Sequence, residues 1–344
     1  MPAEILYYVH HHGGGHLGRA REICRHLPLD VTVVSSLPCP ADLTSWEHPG
    51  SAGRRRWVTV PWDTGDGNDP SAPALYPDPD AAGLLHWAPI GHPGLQARNA
   101  ALLACIAERS PSLLVSDVSA EIVGLARLSG VPTVMVVLPG DRSDAAHQWA
   151  FGLCRGLLAP WPCPGALPEW LRPWRSRTCF AGGIGAGTSS VAAASSGERG
   201  SRGVLVAFGA GERPRRALRE AAAATPEWTW DLPETAVTAD EWRGRLADAD
   251  VVVAHAGLGT LADLAISRGR ALVIPQPRPF GEQYATGRLL QELGIDRAHR
   301  GWPQAADWNR LLDKAAGAET ASWEAWGVAD GARRASRWLV EQAG

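Results

Sequence analysis

The chain is poor in lysine and carries little net charge. Only Lys314 is a lysine among the 33 basic residues, and 36 acidic residues leave a formal charge of −3. This balance predicts no general attraction to nucleic acid or to an anionic membrane. Arginine occurs together with abundant Ala, Gly, Pro and Trp, a composition typical of GC-rich coding sequences. The number of arginines therefore does not indicate phosphate recognition.

Long apolar runs and paired cysteines are also missing. No run approaches the roughly 18–20 residues of a membrane span, and the N-terminus leads directly into a strand, so we expect a cytoplasmic protein. The six cysteines are scattered without any Cys-x-x-Cys pair, at Cys24, Cys39, Cys105, Cys154, Cys163 and Cys179. This spacing predicts neither a disulfide framework nor a zinc ribbon.

Strand and helix patterns alternate through most of the 344 residues, a length that suits two domains. The alternation predicts an α/β protein with parallel, doubly wound sheets. We expect a first domain over residues 1–180 and a second over 203–320. A Gly, Ala and Ser-rich linker, 181–202, separates them. Residues 321–344 read as a terminal helix.

The segment 251–283 is the most informative part of the chain. A buried strand, Val251–Ala254, ends at His255, and Gly257, Gly259 and Thr260 then open a helix. The N terminus of a helix carries unpaired N–H groups and a partial positive charge, so it attracts a diphosphate. Glycines allow the close approach of the phosphates, and the histidine and threonine can donate hydrogen bonds to them.

Three further polar residues follow in the same segment. Asp263 lies three residues beyond Thr260, where its carboxylate can accept hydrogen bonds from ribose hydroxyls. Glu282 and Gln283 follow a second strand and a Pro-rich turn, where they can bind the hydroxyls of a sugar.

This run resembles the donor-binding segment of the GT-B glycosyltransferases, both family 1 and the MurG-like family 28. That pattern has a His, a Gly two later, a Ser or Thr five later and an acid eight later. His255, Gly257, Thr260 and Asp263 match it, and Glu282-Gln283 matches the later acid–Gln pair. One departure is the aspartate, because the family usually has the longer glutamate there.

The resemblance implies two Rossmann-like domains that face a cleft, with the last helix packing back on the first domain. It also implies metal-independent, inverting transfer from a nucleotide-diphosphate sugar, with UDP as the nucleotide and no further cofactor. Gly209 and Gly211 resemble a second phosphate-side loop, and Arg213 lies just beyond them. The arginine is also consistent with an ordinary solvated side chain.

An earlier loop matches the dinucleotide fingerprint at Gly13, Gly15 and Gly18. The next strand ends in Ser35-Ser36, with no acid to hold a ribose, so a dehydrogenase is not favoured. The glycosyltransferase resemblance explains the loop instead, as an acceptor-side turn ending in Gly-His. That loop comprises His12, Gly13, Gly14 and Gly15, and it leads into His16, before a helix predicted from about Leu17 to Leu27.

The resemblance gives His16 the role of general base. A neutral imidazole is suited to removing the proton of an acceptor hydroxyl near neutral pH. Asp117, at the end of a later strand, matches the aspartate that orients the base. A substrate-binding or capping role for the histidine, and a helix-start role for Asp117, remain open.

Two other patterns suggest metal binding. His10, His11 and His12 are adjacent, so their side chains alternate in direction and do not converge on one ion. Asp78-Pro79-Asp80 imitates the Asp-x-Asp of metal-dependent transferases, but it lies in a Pro-rich loop without a preceding strand. We expect no metal site.

The acceptor is open between a lipid, a cell-wall precursor and a small molecule. Residues 168–177 mix Trp and Arg, and Arg54–Arg56 is basic, which suits either packed loops or peripheral contact with a membrane. Two other functions remain as alternatives: a nucleotide-sugar epimerase of the same fold, and a non-catalytic protein that binds sugar nucleotides.

Overall fold

The computed structural model describes residues 3–11, 14–48, 53–63, 76–185, 202–208, 215–233, 239–295 and 297–344. Its strands are β1 (Glu4–Tyr8), β2 (Asp30–Ser35), β3 (Arg55–Thr59), β4 (Leu113–Asp117), β5 (Thr133–Val136), β6 (Gly156–Ala159), β7 (Thr178–Phe180), β8 (Arg202–Ala207), β9 (Trp228–Asp231), β10 (Val251–Ala254) and β11 (Ala271–Val273).

The α-helices alternate with these strands along the chain. They are α1 (Gly14–Cys24), α2 (Pro93–Arg109), α3 (Ala120–Leu128), α4 (Ala145–Leu153), α5 (Arg215–Ala224), α6 (Ala239–Asp248), α7 (Leu258–Ser267), α8 (Glu282–Glu292), α9 (Trp308–Ala316) and α10 (Gly331–Ala343). Among the described helices, none combines the length and apolar character needed to cross a membrane.

The chain divides into two units, each with its own sheet. The first comprises Met1–Pro160, Leu167–Ala181 and Gly331–Gly344, and the second comprises Trp161–Ala166 and Gly182–Asp330. Residues 186–201, most of the predicted linker, lie outside the described part of the chain.

The first unit contains a seven-stranded parallel sheet in the order β3-β2-β1-β4-β5-β6-β7. Helices cover both faces of such a sheet, so its central strands are continuously apolar, as in β1, where Ile5 to Tyr8 are buried. The strand order reverses between β1 and β4. Open α/β sheets form a crevice at such a reversal, outside the carboxyl ends of the strands. This places the segment after β1 and the end of β4 at the crevice.

The C-terminal helix α10 is part of this first unit. It packs against α1, and the Arg334 guanidinium donates from Nε and Nη2 to the carbonyl of Ala181 at 2.9 and 2.7 Å. The Trp338 ring lies where a Cβ on Gly156 would come within 2.6 Å of it, so glycine is required at that contact.

The second unit has a four-stranded parallel sheet in the order β11-β10-β8-β9. All four residues of β10 are buried, and the core beneath them contains Trp228, Trp308 and Leu312. Here the order reverses between β8 and β10, so the loop after β10 lies at the crevice of this sheet. The predicted fold class, α/β with doubly wound parallel sheets, is confirmed.

Candidate functional site

His16 and Asp117 meet at the carboxyl edge of the first sheet. Because β1 and β4 are neighbours, the turn after one and the last residue of the other converge. The prediction that His16 lies in a loop before a helix at Leu17 was wrong: α1 begins at Gly14, and His16 is in its first turn. Glycines disfavour helix on average, but the following part of this helix is buried at Ala20, Ile23 and Cys24 and packs against α10.

A third residue, Arg19, joins the pair. His16 Nδ1 lies 3.1 Å from Asp117 Oδ2, and Arg19 Nη2 donates to Asp117 Oδ1 at 2.6 Å. The same Arg19 nitrogen lies 2.9 Å from His16 Nδ1. The aspartate is fully buried and the arginine is 5% exposed, whereas the His16 side chain is 17% exposed. The imidazole is therefore the member of this site that solvent reaches.

Sequence reasoning missed Arg19. The spacing of His16 and Arg19 in the sequence could have identified it, because residues three apart on a helix share a face. Helix α1 therefore presents the imidazole and the guanidinium to the same carboxylate.

Asp117 is held as an anion. Burial raises its pKa, but the Arg19 charge and then the His16 interaction outweigh burial and bring the pKa to about 2. The carboxylate is therefore ionised at any pH where the protein functions.

The turn that follows Asp117 is strained. Val118 has φ of 62°, a left-handed conformation that is unfavourable for a β-branched residue. Ser116 Oγ donates to the Ser119 carbonyl at 2.8 Å, and the Ser119 side chain caps α3 by accepting from the Ile122 N–H. These bonds hold the strained turn and with it the direction of the Asp117 side chain.

The rest of the acceptor-side loop is only partly described. His12 and Gly13 lie outside the described residues, while Gly14 and Gly15 are exposed and open to solvent. His11 is buried, with Nε2 3.6 Å from Asp63 Oδ1, and the ring of the partly exposed His10 lies 5.8 Å from that of His16.

A second titratable cluster lies beyond β5. Asp144 caps α4 and accepts from His147 Nδ1 at 2.6 Å, and its other oxygen is 3.1 Å from His86 Nε2. Arg142 Nη1 is 3.5 Å from the remaining ring nitrogen of His147. Burial lowers the His147 pKa to about 4, despite the bond to Asp144. These contacts describe a hydrogen-bonded network, because the guanidinium occupies one ring nitrogen and the carboxylate the other.

In the second unit, the turn between β10 and α7 brings His255, Gly257 and Thr260 together. The Gly257 N–H donates to His255 Nδ1 at 2.9 Å, and Thr260 Oγ1 lies 3.3 Å from His255 Nε2. A Cβ on Gly257 would lie 2.4 Å from the His255 ring, so only glycine fits here. Gly259 and Thr260 lie in the first turn of α7.

His255 is neutral and its tautomer is set by its neighbours. Burial lowers its pKa to about 4. The Gln283 amide nitrogen lies 3.3 Å from the same Nδ1 that accepts from Gly257. With two donors directed at Nδ1, the ring proton resides on Nε2. His255 therefore presents an N–H donor at the start of α7.

Gln283 braces two loops. Its Oε1 accepts from the Ala256 N–H at 3.1 Å and from the Gln276 N–H at 2.9 Å, and the side chain is buried. Only its amide nitrogen remains to reach other groups. Glu282 begins α8, where its charge is favourable at the helix N terminus.

Asp263 lies in the second turn of α7. Trp242 Nε1 donates to its Oδ2 at 3.2 Å, and a Cβ on Gly185 would lie 2.7 Å from its Oδ1. The carboxylate is therefore oriented by an indole on α6. The predicted Gly209, Gly211 and Arg213 lie outside the described residues.

The other sequence candidates are structural or exposed. Trp170 donates to the Gly140 carbonyl at 2.7 Å and Trp174 to Gln148 at 3.0 Å, so these tryptophans pack within the first unit. Arg55 is buried among backbone carbonyls, including those of Cys24 and Leu27. The Asp78 and Asp80 side chains are exposed.

Comparison with known proteins gives the class of this fold. Residues 235–300 match the glycosyltransferase family 28 C-terminal domain. The chain is similar over its full length to the glycotransferase of kitacinnamycin, with 19% identity, a TM-score of 0.64 and all of both chains covered. Its fold is that of the GT-B glycosyltransferases, so the resemblance read from the sequence is confirmed.

Two further structures share the fold. The spinosyn rhamnosyltransferase SpnG, solved with thymidine diphosphate, has 17% identity and a TM-score of 0.59, with 98% of this chain and 100% of SpnG covered. MurG of Acinetobacter baumannii has 11% identity and a TM-score of 0.56, with 98% and 95% covered. No curated protein matches the sequence significantly.

Proposed function

We propose that the protein transfers a sugar from a nucleotide-diphosphate sugar to an acceptor hydroxyl. The observation that carries this proposal is the start of α7, where Thr260 and the Nε2 of neutral His255, 3.3 Å apart, lie beside the first N–H groups of the helix. Such a terminus suits a diphosphate. It lies within the segment that matches the family 28 domain.

The proposed donor is a UDP-sugar. Asp263 accepts hydrogen bonds from the ribose hydroxyls and Glu282 accepts them from the sugar hydroxyls, while the amide nitrogen of Gln283 donates to the sugar. Gly209 and Gly211 supply a second phosphate-side loop. The dipole of α7 and His255 balance the charge of the departing diphosphate without a metal or another cofactor. SpnG, with the same fold, is solved with thymidine diphosphate, which supports a nucleoside diphosphate as the ligand class.

The proposed reaction inverts the anomeric centre. His16 Nε2 accepts the proton of the acceptor hydroxyl while its Nδ1–H donates to Asp117 Oδ2, 3.1 Å away. The acceptor oxygen bonds to the anomeric carbon, and the bond to the diphosphate breaks on the opposite side. A general base in this position contributes about 10²–10⁴-fold to the rate.

The proposed organisation assigns the acceptor to residues 1–180 and the donor to residues 203–320, with 181–202 as linker and 321–344 as terminal segment. The acceptor is a lipid, a cell-wall precursor or a small molecule. A peripheral location at the inner face of the membrane belongs to the lipid case.

Nucleotide binding tests the donor half of the proposal. Calorimetric titration with UDP, GDP, dTDP and NAD, with and without EDTA, should show selective binding of one nucleoside diphosphate that EDTA does not change. Tight binding of NAD, or binding of none of the four, would contradict it.

Product analysis tests the reaction. UDP-sugars are incubated with and without an acceptor panel, and the products are examined by NMR for anomeric configuration. Transfer with inversion supports the proposal. An epimerised donor formed without acceptor would identify an epimerase, and binding without any turnover across the panel would identify a non-catalytic protein.

A further inference from the structure

In the first unit, the Asp117 carboxylate contacts two side chains, those of Arg19 and His16. Its Oδ1 accepts from Arg19 Nη2 at 2.6 Å, and its Oδ2 faces His16 Nδ1 at 3.1 Å. The arginine nitrogen is also 2.9 Å from that imidazole nitrogen. A histidine in this position thus lies at nearly the same distance from a fixed negative and a fixed positive group.

We propose that Arg19 is a positioning residue for His16: its guanidinium lies against both Asp117 and the imidazole, so that the carboxylate holds the ring in place while the arginine charge opposes its protonation. This inference rests on the proposed function, because it explains how that base is kept available.

The need for a balancing charge follows from the burial of Asp117. The carboxylate is fully buried, and its pKa of about 2 keeps it ionised. A buried anion beside an imidazole favours the imidazolium, in which Nε2 carries a proton and accepts none. A guanidinium at 2.9 Å opposes that protonation.

The buried Asp117 Oδ2 accepts no hydrogen bond within the described residues, and His16 Nδ1 lies 3.1 Å from it. An unpaired buried carboxylate oxygen is costly. In the proposed mechanism the ring proton therefore lies on Nδ1, where it can supply Oδ2, and Nε2 carries the lone pair. Arg19 Nη2, 2.9 Å from Nδ1, then acts on the imidazole through its charge and not as a hydrogen-bond donor.

Two other titratable groups lie near His16. The His10 ring is 5.8 Å away, centre to centre. Tyr7 is fully buried beneath the cluster, and burial raises its pKa well above its usual value, so its hydroxyl stays neutral. Arg19 and Asp117 are the charged groups at 2.9 and 3.1 Å from His16 Nδ1.

The test measures the titration midpoint of His16 by NMR in histidine-labelled full-length protein, with His16→Gln to assign the resonance. In Arg19→Met the midpoint should rise by about 1–2 pH units, the effect of losing one nearby like charge. Arg19→Lys should restore most of the wild-type midpoint. Arg21→Met, on the same helix but paired with Asp42, is the matched control and should leave it unchanged.

A double variant serves as a control in case Arg19→Met alone misfolds. Arg19→Met leaves a buried carboxylate unpaired, whereas Arg19→Met/Asp117→Asn removes both charges together. The double variant should titrate lower than Arg19→Met by about one unit or more. Equal midpoints in wild type, Arg19→Met and the double variant would overturn the inference, because a merely structural arginine would leave them equal.

Activity gives a second readout. If transfer is measured, the acid limb of the pH–rate profile in Arg19→Met should move upward with the midpoint, so that the loss at pH 7 is largely recovered at pH 9. A loss that is the same at all pH values would contradict the inference.

The two proposals fail differently. Should His16→Gln retain transfer, the base assignment is wrong, although the NMR midpoints still report the charge balance. Should the midpoints not move while His16→Gln abolishes transfer, the base assignment stands and the role given to Arg19 is wrong.

Discussion

Both units place a histidine where a parallel sheet reverses its strand order, but the two histidines have opposite surroundings. His16 lies between an ionised aspartate and an arginine. His255 has uncharged partners at hydrogen-bond distance, namely the Gly257 N–H, the Gln283 amide and the Thr260 hydroxyl. Similar backbone positions thus surround one histidine with charged side chains and the other with uncharged groups.

In the proposed function, the contrast is between a histidine that takes up a proton and one that keeps it. His16 lies between fixed charges of opposite sign and is reached by solvent, an arrangement that suits the proposed base. Burial keeps His255 neutral with a pKa of about 4, and two donors on Nδ1 keep its proton on Nε2. A permanent donor suits the binding of phosphate oxygens.

The largest expected effect separates the two histidines by activity. His16→Ala should reduce transfer by about 10²–10⁴-fold, because the acceptor hydroxyl loses its base. Initial rates with a saturating UDP-sugar measure this. His26→Ala, two residues beyond the C-terminal end of α1, is the control and should keep wild-type rates. Full activity in His16→Ala would remove the assignment.

The second-largest expected effect is on the stability of the fold, and it concerns the charged site of Asp117 and Arg19. Asp117→Asn should lower the free energy of unfolding by about 3–5 kcal/mol at pH 7, because it leaves the Arg19 charge buried without its partner. Urea titration monitored by tryptophan fluorescence measures this. Asp42→Asn, an exposed partner of Arg21, should cost less than about 1 kcal/mol.

The same variant has a pH signature. The folded-state pKa of Asp117 is depressed to about 2 from 3.8, so its contribution is present above pH 4 and is lost as the pH falls towards 2. The difference between wild type and Asp117→Asn should therefore shrink by about 2 kcal/mol over that window. A difference that stays constant from pH 5 to pH 2 would contradict this account.

The contribution of His255 to nucleotide affinity should not change with pH near neutrality. Since His255 is neutral above pH 5, the ratio of UDP affinities between wild type and His255→Gln should be constant from pH 6 to pH 8. Taking the ratio cancels the ionisation of the nucleotide itself. A ratio that changes severalfold over this range would show that His255 titrates there.

The smallest effect concerns the loop brace. Gln283→Ala leaves the Ala256 and Gln276 N–H groups without their acceptor, which should cost about 1–3 kcal/mol of stability. Gln283→Glu keeps an oxygen that can accept from both N–H groups and should retain most of the stability. Thermal denaturation compares them, with the exposed Gln291→Ala as control. Equal losses in Ala and Glu variants would argue against the brace.

Residue patterns predicted an element correctly where the local sequence and the packing of that element favour the same structure. The strand Val251–Ala254 was predicted with its observed bounds, because a buried parallel strand is a short apolar run between turn residues. Asp117 was likewise placed at the end of its strand. The start of α1 was predicted three residues late, since two glycines resemble a turn.

The partners of the site residues were less predictable. Arg19 reaches a carboxylate 98 residues away in sequence, and Trp242 orients Asp263 from another helix. Gln283 was predicted to bind a sugar, yet its carbonyl oxygen is occupied by two backbone groups. Such contacts depend on which elements become neighbours in the sheet, and residue type alone does not carry that information.

The most direct test of the two-site account is calorimetric UDP binding in His255→Ala and His16→Ala side by side. The account predicts that His255→Ala weakens binding by about 1–3 kcal/mol, the value of a buried or charge-assisted hydrogen bond, while His16→Ala binds like wild type. Equal affinities in both variants, or a loss confined to His16→Ala, would contradict the proposal that His255 binds the nucleotide and His16 does not.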